Sequence, residues 1–418
     1  MDIHWKAALH TITITAFIDV VFRCNKDEAW KQLVSMGRPL WKSTFDASMR
    51  KCNNEAKATK SVLNLAARKM LLGKPSTHLV SYDETNMFGV ASMLCRLGLR
   101  PHSSSSLASR VVTDFMAILA YMSYESDGHL SSYSSDPVLA LGATKVWYNC
   151  SPALANCILP QLKKLLVNEM LDTGGVDEVI ARVVLLLAMD SCVVETEITA
   201  QNHRNCQFMG QFVSVKLFMK ALVGPDPILK MERQTTEDTR AKASFKKWQS
   251  KWDGWQLGFC HFVQLFSEPT EGMLWVLLGH RAAGVLPRSH SGADLVIPIF
   301  HREKREVSLI QVQVKAGTAM MLPANVFASG NSLSEKLPCD VIGICMSQQE
   351  MEDQYARYEK VDVSSVEESE GLAGSGPNAS KKCSASTTPA PQAVSSRQTN
   401  RESSIETNRQ LTSRLLRR

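Results

Sequence analysis

The spacing of apolar and polar positions divides the chain into a helical stretch, a polar interval, a strand-rich stretch and a polar tail. Trp30, Leu33 and Val34 recur at helical spacing, and Gly37-Arg-Pro-Leu-Trp41 interrupts them as a turn. Ser61 to Leu72 predicts an amphipathic helix with Val62, Leu63, Leu65, Ala66, Met70 and Leu71 as its apolar positions, closed by the glycine and proline that follow. Ser105 to Tyr124 is also periodic and predicts a helix. Ser131 to Pro137 has loop composition, and Asp136 followed by Pro137 matches an N-cap and first turn. The helix so opened carries Val138, Leu139, Leu141 and Val146. Leu159 to Met170, Val176 to Met189 and Phe208 to Leu222 predict further helices, and Gly224-Pro-Asp-Pro227 ends the series.

Past residue 256 the helical spacing gives way to short β-rich runs: Trp275 to Leu278, Gly284 to Leu286, Leu295 to Phe300, Val307 to Val314 and Val341 to Met346. A helix fits between Ala319 and Asn331, or ahead of Trp275. Two apolar runs flanking the polar segment His301 to Glu306 predict a β-hairpin. Three strands, a helix and a strand in that order predict an α/β domain with a mixed sheet. The expected fold class is therefore mixed, with an α-helical region over 1–225, a basic helical connector over 226–255, an α/β domain over 256–360 and a disordered tail over 361–418. The tail is rich in Ser, Thr and Pro and poor in large apolar residues.

A length of 418 residues and a hydrophobic fraction of 44% allow two or three domains with a sizeable core. The net charge of +6 permits nucleic-acid contact without demanding it. Eleven scattered cysteines with no CxxC pair point to reduced, packed thiols in a cytosolic or nuclear protein and away from a zinc site. Leu9 to Phe22 is broken by His10, threonines and Asp19, which speaks against a signal peptide. Val183 to Met189, the longest clean apolar run elsewhere, is too short to span a bilayer, so no membrane partner is expected. In the connector Lys246, Lys247 and other basic residues interleave with Trp248, Trp252 and Trp255. They suit either a solvated helix with aromatic anchors or a rim along a phosphate backbone. Arg302, Lys304 and Arg305 on the hairpin connection suit either solubility or the same backbone contacts.

The candidate chemistry sits on the hairpin. Asp294 opens its first strand, and Gln313 and Lys315, two residues apart on the second, share one face. An acid, an amide and an ammonium at one end of paired strands suit a divalent cation and a water beside a phosphodiester. Asp294, the side-chain oxygen of Gln313 and the carbonyl of Val314 would be oxygen ligands for Mg²⁺, and Lys315 would orient the water. The plainer alternative makes Asp294 a turn residue, and Gln311, Gln313 and Lys315 the solvent side of an alternating strand.

An aspartate followed on the next strand by Gln313-Val-Lys315 is similar to the PD-(D/E)xK superfamily of restriction-endonuclease-like folds, in the glutamine variant of Mrr-type endonucleases. Gly-Ala-Asp294-Leu-Val-Ile-Pro with Val-Gln313-Val-Lys315 also resembles the C-terminal part of Crinkler-related proteins of fungi and oomycetes. There a P-loop ATPase precedes a helical segment and a restriction-endonuclease-like domain. Gly37-Arg-Pro-Leu-Trp41 and Ser135-Asp-Pro-Val-Leu139 look like parts of that helical segment. The resemblance implies Mg²⁺-dependent DNA hydrolysis, an upstream ATPase domain or partner protein, and a glutamate from the preceding helix, supplied by Glu271 or Glu268. No GxxxxGK[ST] occurs, Ala293 replaces the proline of the motif, and Gln313 replaces its usual acid. The last departure suits the alternative of a non-catalytic module that binds nucleic acid or protein, and the missing P-loop suits a third reading, a fragment of a larger ATPase-nuclease. His280 and His290 flank the region and read as packing or surface residues.

Overall fold

The computed structural model describes residues 18, 21–22, 29–73, 87–103, 105–122, 129–149, 158–172, 175–192, 209–223, 250–288, 293–316 and 340–346. The expected tail, the helix expected between Ala319 and Asn331, and most of the connector with Lys246 and Lys247 lie outside the described residues.

The helical part opens with α1 (Ala29–Leu33), α2 (Pro39–Cys52) and α3 (Glu55–Met70). Pro39 starts α2, where its missing N–H is not needed, and Asn53 ends it in the left-handed conformation at φ 42°. Asn54 caps α3 by accepting the Lys57 N–H at 2.9 Å. There follow α4 (Met87–Leu97), β1 (Arg100–Pro101), α5 (Ser106–Asp114), β2 (Ile118–Met122), β3 (His129–Ser132) and α6 (Pro137–Asn149). Next come α7 (Leu159–Val167), β4 (Leu171–Asp172), α8 (Val176–Ser191), β5 (Val213–Ser214) and α9 (Val215–Val223). The helix expected over Ser105 to Tyr124 stops at Asp114. The chain turns at Met116, which has φ 64°, and the β-prone run Ile118-Leu-Ala-Tyr-Met122 pairs with β3 instead.

The strand-rich part holds β6 (Trp255–Leu257), β7 (His261–Gln264), α10 (Glu271–Gly279), β8 (Ala282–Val285), β9 (Leu295–His301), β10 (Glu306–Ala316) and β11 (Asp340–Met346). Trp275 to Leu278, expected as a strand, is helical. Thr270 caps α10 by accepting the Met273 N–H, and Glu271 sits in the first turn where a negative charge is favoured. The apolar run itself fits either structure, so the cap decides.

β9 and β10 form the expected antiparallel hairpin, with Leu295 opposite Val312 and His301 opposite Glu306. β11 adds parallel to β10, β8 antiparallel to β9, and β7 parallel to β8, so the sheet is mixed. The free edge of β9 is shared: Leu295 and Val296 pair with β8, while Phe300 and His301 pair with β6. Pro298, which has no N–H to give, falls in the gap between the two. β5 pairs with β6, so a strand from before residue 225 belongs to the same sheet.

Both sheet faces are covered. Leu295, Ile297, Ile299, Ile310 and Val312 join a core that runs continuously into α2 to α9. Val296, Phe300, Val307 and Leu309 face the other way, onto Leu274, Trp275 and Leu278 of α10. Phe22 closes that second face, with its ring centroid 5.5 Å from Trp275 and 5.9 Å from Phe300. Among the described residues no helix is long and apolar enough to cross a membrane.

Candidate functional site at the carboxyl end of the sheet

Strand directions bring the candidate residues to one end of the sheet. β9 starts at this end, while β7, β8, β10 and β11 all finish there, because β8 and β10 run antiparallel to β9 and β7 and β11 follow them. α10 connects the parallel strands β7 and β8, so it runs back against them and its first turn lies over the same end. Glu271 and Glu268 therefore come from the correct side of the fold, Glu271 exposed and Glu268 half-buried.

Asp294 is fixed from three directions. Its N–H donates to the Val312 carbonyl at 2.9 Å, and its carbonyl accepts the Leu286 N–H at 2.9 Å. Its Oδ2 accepts the Val314 N–H at 2.6 Å. The carboxylate thus continues the β9–β10 ladder one step past the strand, standing in for a main-chain carbonyl. Oδ1 makes no hydrogen bond among the described residues. N–H and C=O of one strand residue face the same neighbour, so the Val314 carbonyl opens toward the Asp294 side.

Gln313 lies one residue before Val314, on the same strand face as Leu309 and Gln311. That face is covered by α10, so the plain solvent-side alternative does not describe these residues: Gln311 is 8% exposed and Gln313 is half-buried. Gln313 Oε1 is buried and has no hydrogen-bond partner among the described residues. An acceptor oxygen withdrawn from water and left unpaired costs about 1–3 kcal/mol, and a cation or a donor placed there would remove that cost. Lys315 occupies the next position of the same face, opposite Cys345 of β11, while its side chain lies outside the described residues.

The remaining predicted residues lie elsewhere. Arg302, Lys304 and Arg305 form the far turn of the hairpin, roughly 25 Å from Asp294 at about 3.4 Å per residue. Arg305 stacks over the Phe22 ring at 4.8 Å. His280 ends α10 and pairs its Nδ1 with the Ser135 carbonyl at 3.1 Å, a packing role. His290 lies outside the described residues. Among the described residues no group of three or more His, Cys, Asp or Glu is placed to hold a metal.

Three buried polar nodes went unconnected in the sequence reading, and two of them, at Arg96 and at Ser135, link the helical layer to this sheet. Arg96 grips Asp190 with two bonds of 2.8 Å, Tyr148 donates to the same carboxylate at 2.8 Å, and the guanidinium lies 4.2 Å over the Trp147 ring. Arg96 Nε also donates to the Cys260 carbonyl at 3.2 Å, just ahead of β7. Burial works against the Arg96 charge, but Asp190 outweighs it and the pKa ends raised. Asp136 caps α6 through the Leu139 N–H at 3.1 Å, and also accepts Trp41 Nε1 at 2.9 Å and Arg38 Nη1 at 3.2 Å. The two segments singled out by resemblance, around Trp41 and Asp136, therefore touch. Ser135 Oγ and His261 Nε2 are 3.0 Å apart, and His261 Nδ1 lies 3.4 Å from Cys260 Sγ. Burial lowers the His261 pKa to about 3, and no carboxylate backs the ring in its hydrogen bonds, so the pair is a poor base and nucleophile.

No protein-family model matches the chain, and no curated protein or solved structure is significantly similar to it.

Proposed function

We propose that this end of the sheet is a restriction-endonuclease-like site that hydrolyses phosphodiester bonds of DNA with Mg²⁺. The observation that carries the reading is the Asp294 carboxylate, locked onto the Val314 N–H, beside the buried and unpaired Oε1 of Gln313. The order α10, β8, β9, β10, β11, with β11 parallel to β10 and the other pairs antiparallel, supports it. So does the position at the carboxyl ends of strands beside a helix N-terminus.

The donor set fits a hard cation: Asp294 Oδ1, Gln313 Oε1 and the Val314 carbonyl are all oxygens, carried by the residue just ahead of β9 and by adjacent residues of β10. When bound, Mg²⁺ supplies positive charge against the phosphate and makes a water more acidic. Asp294 holds its oxygen in place without rearrangement, because three hydrogen bonds fix it beforehand. The α10 cover keeps bulk water from Gln313. Lys315 has the charge to orient the attacking water and offset the developing negative charge.

The test compares wild type with Asp294→Asn and Lys315→Ala on supercoiled plasmid in Mg²⁺ or Mn²⁺. Each variant is expected to lose at least about a hundredfold in cleavage. In parallel, Mn²⁺ should raise the melting temperature of wild type and leave Asp294→Asn unmoved. Undiminished cleavage by Asp294→Asn sinks the assignment.

One observation favours a second reading, a non-catalytic nucleic-acid- or protein-binding module. The Val314 bond alone gives Asp294 a structural purpose, and among the described residues no group of three or more His, Cys, Asp or Glu is placed to hold a metal there. Salt-sensitive DNA binding without metal-dependent cleavage would select that reading.

A further inference from the structure

We infer that Phe266 is a stacking platform for an unpaired nucleobase, so that the substrate at the Asp294 end is single-stranded or locally opened nucleic acid. This rests on the phosphodiester reading above and adds the substrate class.

Phe266 is 92% exposed, the most exposed of the large hydrophobic side chains among the described residues, and the others that stand exposed are not aromatic. It follows Leu265, which is buried under α10, and it precedes the α10 cap, so its backbone is held on both sides while its ring stands in solvent. A phenylalanine ring that stays out forgoes the stabilisation that burial would bring. Met273, in the first turn of α10, is also exposed, at 38%.

The place matters more than the exposure. Gln264 pairs level with Val285, and Val285 with Leu295, so the end of β7 is level with the start of β9. Strands about 4.8 Å apart put Phe266 roughly 10–15 Å from Asp294, two or so nucleotides along an extended strand. A duplex keeps its bases stacked inside, out of reach of a side chain beside its backbone. An unpaired base offers a π-face, and stacking on an aromatic ring is tolerant of sequence. A ring at this distance from a phosphodiester site would hold a neighbouring base and set the register of the strand.

The test uses fluorescence anisotropy in the cleavage-silent Asp294→Asn protein with labelled single-stranded DNA, single-stranded RNA and blunt duplex. Phe266→Ser should weaken single-strand binding about tenfold, Phe266→Trp should restore it, and duplex binding should not change. The DNA and RNA arms identify which strand is held. Equal affinity of Phe266→Ser and its parent for single strands overturns the inference. So does a dimerisation that Phe266→Ser abolishes while nucleic-acid binding stays intact, which would make the ring a protein contact. Wild type that neither binds nor cuts any nucleic acid removes the phosphodiester reading as well. Wild type that cuts, with Phe266→Ser unaffected, removes the stacking platform alone.

Discussion

Replacing Asp190 by leucine should destabilise the packing of the helical layer, and the structure sets the size of the effect. Asp190 is 5% exposed and Arg96 is fully buried. The substitution removes both 2.8 Å bonds to Arg96 and the one from Tyr148. It leaves a guanidinium with only the Cys260 carbonyl and the Trp147 ring as partners. Breaking a buried pair from one side costs about 3–5 kcal/mol, because the surviving charge stays out of water uncompensated. Arg96→Met alone should cost a similar amount, since Asp190 then keeps only the tyrosine. The double variant should recover most of the loss, to within about 2 kcal/mol of wild type, because neither charge remains and the groups that lose a partner, the Tyr148 hydroxyl and the Cys260 carbonyl, are neutral. Urea unfolding followed by both tryptophan fluorescence and circular dichroism gives the cycle, with coincidence of the two probes checking that it is two-state. Single variants costing under about 1 kcal/mol, or a double variant whose cost is their sum, would refute the account of this node as a desolvated, mutually dependent pair.

Two further outcomes follow from the same contacts. Asp294→Ala should lower stability by about 1–2 kcal/mol by releasing the Val314 N–H, whereas Asp294→Asn, which keeps an acceptor there, should cost less than about half of that; equal losses in urea titration would mean the bond contributes nothing. Stability should also fall on acidification. His261 is held neutral by burial with its pKa lowered to about 3, and burial lowers that of His280 too. The unfolded chain takes up protons below about pH 6.5 while the folded one does not, so the contribution is complete above that pH and shrinks as pH drops toward about 3. Each ring adds at most about 1.4 kcal/mol per pH unit, and His261→Asn should flatten the slope measured by urea midpoints at pH 7, 6 and 5.

The hairpin was readable because β9 and β10 carry two independent marks, alternation within β10 and a fully polar connection between apolar runs. Their observed limits fall within two residues of the expected ones. The Asp136–Pro137 cap was readable for the same reason, since a local hydrogen bond selects the residues. Its second use was not: Trp41 is 95 positions away in the chain, and no local pattern announces which indole will take a cap's spare oxygen. For Gln311 and Gln313 the same limit applied to the solvent-side alternative. Polar residues at alternate positions suggest water, and only the placement of α10 shows that their face is covered. The Arg96–Asp190 pair was missed because each ends an apolar run within its helix, where a charge offers no clue to its partner.

The division of Ile297, Ile299, Ile310 and Val312 from Val296, Phe300 and Leu309 across the sheet has a consequence for inheritance. The first set leans on the helices between residues 39 and 223, and β5 is woven into the strands from that stretch as well. The strands cannot be shuffled onto a different neighbour without leaving one greasy wall unroofed. Whatever chemistry they carry, a descendant must keep both halves or lose both.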